Sequence, residues 1–392
     1  MSAVCLYFQV HQPFRLREYD FSMIGREPHY EYEAQNRTLL NRIADRCYLP
    51  TNKILLNLIK QWKGKFKLSF SLSGCAIEQF EQYRPDVLVS FQNLAKTGCV
   101  EFLGETYYHS LSSMFSPTEF IRQVELHKKK IKSLFGVSPK VFRNTELIYD
   151  NTVAQHLKKL DFQGVVCESV EEILGNRDSG CLYKAKGADS VKCLLKNYEL
   201  SEDIAYRFAD SSWEYYPLSP SKYLQKLQVY DQADTAINLF MEYETFGEHQ
   251  KQDTGILIFL DELPEYVIEM GEMNFATPTE LLKSMKAHET YDVRQPISWE
   301  EQDRNVEAWV GNTMQQEALQ RLYNLENKVL KTKNEKLIQT WGRLQTSDHF
   351  YYMTTKTVLG GRFNAHYSPY NSSYDAYINY MNILSDFESR LG

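Results

Sequence analysis

Acidic, imidazole and tyrosine side chains recur immediately after short apolar runs along this 392-residue chain. Val4–Val10 leads into His11-Gln12-Pro13. Val100–Leu103 overlaps Glu101-Phe-Leu-Gly-Glu105-Thr-Tyr-Tyr-His109 and leads into its second half. Lys140–Phe142 leads into Arg143-Asn144-Thr145-Glu146. Ala236–Met241 leads into Glu242-Tyr-Glu244-Thr-Phe-Gly-Glu248-His249. A carboxylate at the end of an apolar strand is partly desolvated, and its pKa shifts, which acid/base chemistry requires. Two such carboxylates facing each other suffice to hydrolyse a glycosidic bond: one attacks the anomeric carbon or activates water, and the other protonates the leaving oxygen. Glu146 and Glu242 are the candidate pair. The competing reading of Glu146 is a structural ion pair with Arg143. A metal site built from His11, His109, His249, Asp348 and His349 is a further alternative, but the chain has no HExxH and no diagnostic ligand spacing.

The elements that must position these groups alternate. Strands are expected at Val4–Val10, Phe66–Leu72, Val100–Leu103, Lys140–Phe142, Gly164–Cys167, Val191–Leu195 and Ala236–Met241. Helical spacing falls between them, at Lys53–Trp62, Arg84–Lys96, Pro117–Phe135 and Tyr149–Leu160. Strands alternating with helices predict a parallel sheet. No GxGxxG follows any strand, so the pattern favours a barrel over an open dinucleotide-binding sheet. In a parallel barrel the strands' C-terminal ends carry the chemistry, where these polar residues fall. After about residue 300 the β-like runs stop. Met314–Lys331, Asn334–Thr346 and Ser372–Leu391 read as helices, with Ser298 and Glu301 as a candidate capping box. The expected division is 1–299 for the barrel and 300–392 for a helical domain that completes the cleft.

Composition narrows the function classes. Lys and Arg total 44 against 51 Asp and Glu, a net charge of −7. A chain of that balance without a basic face is a poor nucleic-acid binder. No stretch approaches 18 consecutive apolar residues, so no membrane span is expected. The start of the chain has no basic segment followed by a long apolar one, and the 7 cysteines include no CxxC pair. The expectation is a cytoplasmic protein with buried free thiols. Aromatic residues reach 14%, with 27 tyrosines. Tyrosine suits stacking on sugar rings, although a large core uses it equally.

The motifs together resemble glycoside hydrolase family 57, in its α-amylase branch, over essentially the whole chain. The matching segments are Phe8-Gln9-Val10-His11-Gln12-Pro13, Val100 to His109, Phe142-Arg143-Asn144-Thr145-Glu146, Leu195 to Arg207, and Leu344-Gln-Thr-Ser-Asp348-His349-Phe-Tyr-Tyr352. The resemblance implies an incomplete seven-stranded (β/α) barrel with a C-terminal helical bundle. It implies a retaining mechanism on α-1,4-glucans or maltooligosaccharides, with no cofactor and no metal. Glu146 matches the family's nucleophile. His11, Glu105, His109, His249 and Asp348 would hold sugar hydroxyls, and Trp213 and Tyr351 are candidate stacking platforms. Arg143 beside Glu146 would favour its ionised state. One position departs: the family's acid/base is an Asp where this chain has Glu242. Glutamate adds a methylene, roughly 1.5 Å of reach. A retaining pair sits about 5–5.5 Å apart, and an error of about 1 Å can cost on the order of 100-fold in rate. The departure leaves three readings: an α-amylase with Glu242 as acid/base, a catalytically silent or weak α-glucan-binding homologue, and a 4-α-glucanotransferase.

Overall fold

Seven of the apolar runs become strands, and an eighth strand and two short ones join them. The computed structural model describes residues 2–287, 289–300, 303–356 and 368–391. The strands are β1 (Ala3–Val10), β2 (Leu68–Leu72), β3 (Val100–Phe102), β4 (Val141–Arg143), β5 (Gly164–Cys167), β6 (Tyr183–Ala185), β7 (Ala188–Leu195), β8 (Ala236–Glu242), β9 (Asn274–Phe275) and β10 (Thr290–Tyr291). One parallel sheet places β1 between β2 and β8, with β3 beyond β2 and β9 beside the start of β1. The second runs β10-β6-β7-β5-β4 and is parallel except between β6 and β7. Buried on both faces, β1 and β5 are near-continuous apolar runs, as parallel strands under helical cover require. The two sheets touch at both sides. Gly104 forms a parallel bridge with Phe142, and the Asn197 N–H donates to the Asn238 carbonyl at 2.8 Å.

The connecting helices include Leu49–Trp62, Gly74–Tyr83, Pro85–Ala95, Pro117–Phe135 and Asn151–Lys159. Pro117–Phe135 starts as its sequence dictates. Ser116 caps the Glu119 N–H, Pro117 occupies the first turn, and Gly136 closes the end at φ 74°. Beyond residue 300 the helices are Glu307–Val310, Thr313–Asn324, Glu326–Thr332, Glu335–Leu344, Ser347–Tyr351 and Ser373–Ser389. They share an apolar cluster of their own around Trp309, Leu319, Trp341 and Tyr380, which also takes in Leu16, Tyr19 and Tyr30. All seven cysteines are free, and all but Cys181 are buried. Most tyrosines serve packing; Tyr7, Tyr48, Tyr149, Tyr243 and Tyr291 are fully buried. No helix among the described residues is long and apolar enough to cross a membrane.

Three expectations need correction. Ser298 caps no helix: its hydroxyl donates to the Asn305 carbonyl and accepts from the Glu300 N–H, closing a loop. Its expected partner Glu301 lies outside the described residues. The helix expected over Met314–Lys331 breaks at Leu325 into two. The strand expected at Val191 begins at Ala188, because Gly187 at φ 76° turns the chain back along β6.

The segment 342–348 docks on residues 106–110. The Thr346 hydroxyl donates to the Tyr108 carbonyl at 3.0 Å, and the Ser347 N–H donates to the His109 carbonyl at 2.9 Å. Gly342 permits this approach, because a Cβ there would sit 2.2 Å from the buried Tyr108 ring. Gly342→Ala should therefore destabilise the protein by about 1–3 kcal/mol through overpacking, outweighing the roughly 1 kcal/mol that alanine gains in a helix. Thermal unfolding checks this; an unchanged or raised midpoint would show that the ring yields freely.

Candidate active site

Every polar group singled out at a strand end lies at the C-terminal end of its strand. His11 follows β1, Glu105 and His109 follow β3, Glu146 follows β4, and Glu242 ends β8. Glu146 sits in a single turn at φ 54° with Leu147 at φ 51°, a left-handed conformation that non-glycine residues seldom adopt. Tyr149 and Ile297 pair antiparallel, so the chain at 297–299 runs alongside this turn, and the Trp299 N–H donates to the Glu146 carbonyl at 3.2 Å.

Three side chains donate to the Glu146 carboxylate. His109 Nε2 lies 3.1 Å and Ser347 Oγ 3.1 Å from Oε1, and the Trp299 indole N–H donates to Oε2 at 2.9 Å. Burial pushes the Glu146 carboxyl up. The His109 hydrogen bond and charge, with the Arg143 guanidinium, outweigh it and hold the carboxyl below the ordinary range. Arg143 is fully buried, donates to Gln9 and stacks its guanidinium 4.8 Å from the Trp299 ring centre. Glu146 and Arg143 do not form the direct ion pair of the competing reading; the arginine acts across space.

His109 is the centre of the cluster. Its Nδ1 lies 3.3 Å from Glu105 Oε2 while Nε2 faces Glu146. Burial alone would lower its pKa, but the bonds to the two carboxylates raise it to about 9. The imidazolium therefore donates from both nitrogens. Its side chain is 1% exposed and that of Glu105 is 0%. These two residues are thus enclosed beside Glu146. His11 stacks on His109 with ring centres 3.9 Å apart. Burial and the His109 charge lower the His11 pKa. Neutral His11 has a determined tautomer: the Asp348 carboxylate beside Nε2 can only accept, which leaves Nδ1 to accept from the Ser73 hydroxyl at 2.7 Å. Nε2–H then donates to Asp348 Oδ2 at 3.0 Å. Against the burial that raises it, the His11 hydrogen bond and the His109 charge hold Asp348 well below the usual carboxylate range.

Glu242 is biased the other way. Its side chain keeps 41% exposure toward the cleft, and Oε2 lies 3.4 Å from His249 Nδ1. Desolvation, then the like charges of Glu244, Glu146 and Glu300, push its carboxyl up to about 8. Burial lowers His249 to about 4. Glu244 is committed elsewhere: it is buried, accepts from the Tyr48 hydroxyl and takes a 3.2 Å bond from Gln12.

Not every predicted residue joins this cluster. The Trp213 ring packs against Arg207, Lys226 and Tyr215, on the loop after the helix Tyr198–Ala205. Tyr351 donates its hydroxyl to Glu300 at 2.9 Å, at the edge of the cleft. His349 turns away, with Nε2 3.2 Å from the Arg343 carbonyl. Among the described residues no three His, Cys, Asp or Glu side chains gather in metal-binding geometry. Sequence reasoning missed Trp299 and Ser347. Ser347 stands beside Asp348 in a quoted motif, whereas no spacing marks Trp299.

Comparison with known proteins gives the chain's family and fold. Residues 5–294 match the family described as Glycosyl hydrolase family 57. A Methanocaldococcus jannaschii protein described as "Putative alpha-amylase" is 37% identical over 394 residues, covering 97% of this chain and 83% of that one. The fold is similar to that of the GH57-type branching enzyme from Pyrococcus horikoshii, with TM-score 0.68, 15% identity and coverage of 90% and 86% of the two chains. It is similar to the α-amylase AmyC from Thermotoga maritima, with TM-score 0.64, 13% identity and coverage of 100% and 94%. Against the 4-α-glucanotransferase from Thermococcus litoralis the TM-score is 0.67 at 15% identity, over 89% of this chain and 56% of that one, so the chain spans little more than half of that protein. The α/β fold with its parallel sheets is thus shared with these enzymes, and the chain belongs to glycosyl hydrolase family 57.

Proposed function

We propose that the protein is a retaining α-1,4-glucan hydrolase of the α-amylase type. Glu146 is the nucleophile and Glu242 the general acid/base. The observation that carries this reading is the placement of two carboxyls at strand ends: Glu146, after β4, accepts from His109, Ser347 and Trp299 and is held low, while Glu242, ending β8, faces like charges that push it up. Paired carboxyls pushed apart in this way are how one site holds a nucleophile and an acid at the same pH. Seven strands, β1 to β5 with β7 and β8, form the incomplete barrel that carries them, and the helices after residue 300 supply Ser347 and Asp348.

In the first step Glu146 attacks the anomeric carbon while Glu242 gives its proton to the departing glycosidic oxygen. The product is a glycosyl ester of Glu146. In the second step Glu242, now a carboxylate, takes a proton from water as that water attacks the same carbon and releases Glu146. Asp348 and His249 face the cleft and meet the sugar hydroxyls. Glu105 and His109 act from behind, by fixing Glu146.

Reducing-end release from soluble starch and maltooligosaccharides tests the reading. Wild type should cleave, and Glu146→Gln should lose activity by at least about 10⁴-fold while still binding glucan. Wild-type turnover in Glu146→Gln would overturn the nucleophile. Cleavage by Glu242→Asp alone, with an inert wild type, would identify a silenced glucan-binding homologue. Product chains longer than the substrate, without new reducing ends, would identify a glucanotransferase. A second prediction concerns pH. Glu242 must be protonated to act as acid, so kcat/KM should fall as pH rises through about 8. Glu242→Gln should remove that limb along with most activity. A limb that persists in Glu242→Gln would assign the titration to another group.

A further inference from the structure

We propose that Glu168 is a positioning residue for the Glu146 carboxylate, acting through Arg304 and the indole of Trp299. This rests on the reading of Glu146 as nucleophile.

Glu168 follows β5 at the same end of the sheet and is fully buried. Its Oε1 lies 2.8 Å from Arg304 Nη1, and its Oε2 lies 3.7 Å from Lys196 Nζ. Oε1 also accepts the Ser169 N–H at 2.9 Å. Such a carboxylate has no route to a substrate, yet an uncompensated buried charge is costly, so its two cations are tied to it. Both lead to Trp299. Arg304 lies 3.6 Å over the Tyr198 ring, and its carbonyl accepts the Ser298 N–H at 3.0 Å. The Ser298 hydroxyl donates to the Asn305 carbonyl at 2.5 Å. The two ends of this loop are therefore clamped together immediately beside Trp299. Lys196, which also pairs with Glu202 at 2.8 Å, stands 5.5 Å from the Trp299 ring centre. With Arg143 at 4.8 Å, the indole lies against two cations. A cation at the ring face draws electron density from it and strengthens the N–H as a donor. That N–H is the donor held 2.9 Å from Glu146 Oε2. Fixing a nucleophile's second oxygen leaves the first oriented for attack, and misplacement by about 1 Å costs on the order of 100-fold.

The variant Glu168→Gln separates this from a bulk effect, because the two predict opposite signs. Removing a negative charge leaves Lys196 and Arg304 uncompensated, and their field alone would favour ionised Glu146. The acid limb of kcat/KM would then move to lower pH. Losing the Trp299 hydrogen bond disfavours the carboxylate and moves the limb to higher pH. The other groups around Glu146, namely His109, Arg143, Asp348 and Glu242, are unchanged in the variant. The expected result is a limb shifted upward, with kcat/KM down about 10–100-fold and most of the loss in kcat. A second readout needs no turnover. In protein labelled with 5-fluorotryptophan, the Trp299 resonance, assigned with Trp299→Phe, should follow the titration of Glu146 in wild type. That dependence should vanish in Glu146→Gln and in Glu168→Gln. If Glu168→Gln fails to fold, Arg304→Met should uncouple the resonance in the same way. A limb that stays or moves downward, or a Trp299 resonance that still titrates in the variants, overturns the proposal. An inert wild type defeats the hydrolase reading alone, since the fluorine signal still decides the role of Glu168.

Discussion

One buried cation organises this cleft. His109 is enclosed and doubly hydrogen-bonded to carboxylates, and an imidazolium without those partners would not persist there. Its charge then dictates its neighbours. It holds Glu146 as an anion and, stacked at 3.9 Å, keeps His11 neutral. Neutral His11 accepts from Ser73 and donates to Asp348, and this keeps Asp348 aimed as an anion into the cleft. A single protonation state thus fixes the charge of Glu146, the tautomer of a second histidine and the orientation of a third group, using residues that follow β1, β3 and β4 and one on a C-terminal helix. The left-handed backbone at His109, φ 52°, and at Glu146, φ 54°, is the conformational cost of bringing them face to face.

Glu242 stands where the family resemblance implies an aspartate. Strand β8 pairs with β1 so that Glu242 lies opposite Gln9, whose amide touches both Arg143 and His109. The strand end is therefore locked to the supports of Glu146. The carboxyl of Glu242 is raised by desolvation and by the like charges of Glu244, Glu146 and Glu300, and both causes depend on where the side chain places it. Reach and acidity are therefore linked at this position, and on the proposed function both decide whether Glu242 serves as the acid.

How much of this was legible follows from what each feature depends on. Strands and their polar ends could be read because burial on two faces imposes long apolar runs, and the chemistry sits where those runs stop. Pro117–Phe135 was legible to the residue because cap, proline and terminal glycine all agree. The antiparallel turn-back at β6 was not read, although Gly187 marked it. The full burial of Glu105 and His109 was not legible, because their types suit either side of a site. Trp299 was invisible for a stronger reason. It reaches Glu146 through the pairing of Ile297 with Tyr149, a contact across 148 residues without periodicity. Trp213, chosen for its type, faces two cations elsewhere.

The contribution of the residues after 296 also bears on why the cleft needs them. The strand ends alone supply Glu146 with one donor, His109, and leave Oε2 without a donor. Trp299 and Ser347 complete its coordination, and Asp348 completes that of His11. Ser347 and Asp348 arrive on a segment that bonds to the backbone of Tyr108 and His109. The docking surface is therefore the loop that carries the central cation. Any movement of the helical segment displaces the donors and the loop together, so packing remote from the cleft is coupled to the ionisation of Glu146. Gly342 sits in this contact, where an added Cβ would lie 2.2 Å from the buried Tyr108 ring. Stability at this contact and reactivity at Glu146 are thus two readings of the same geometry.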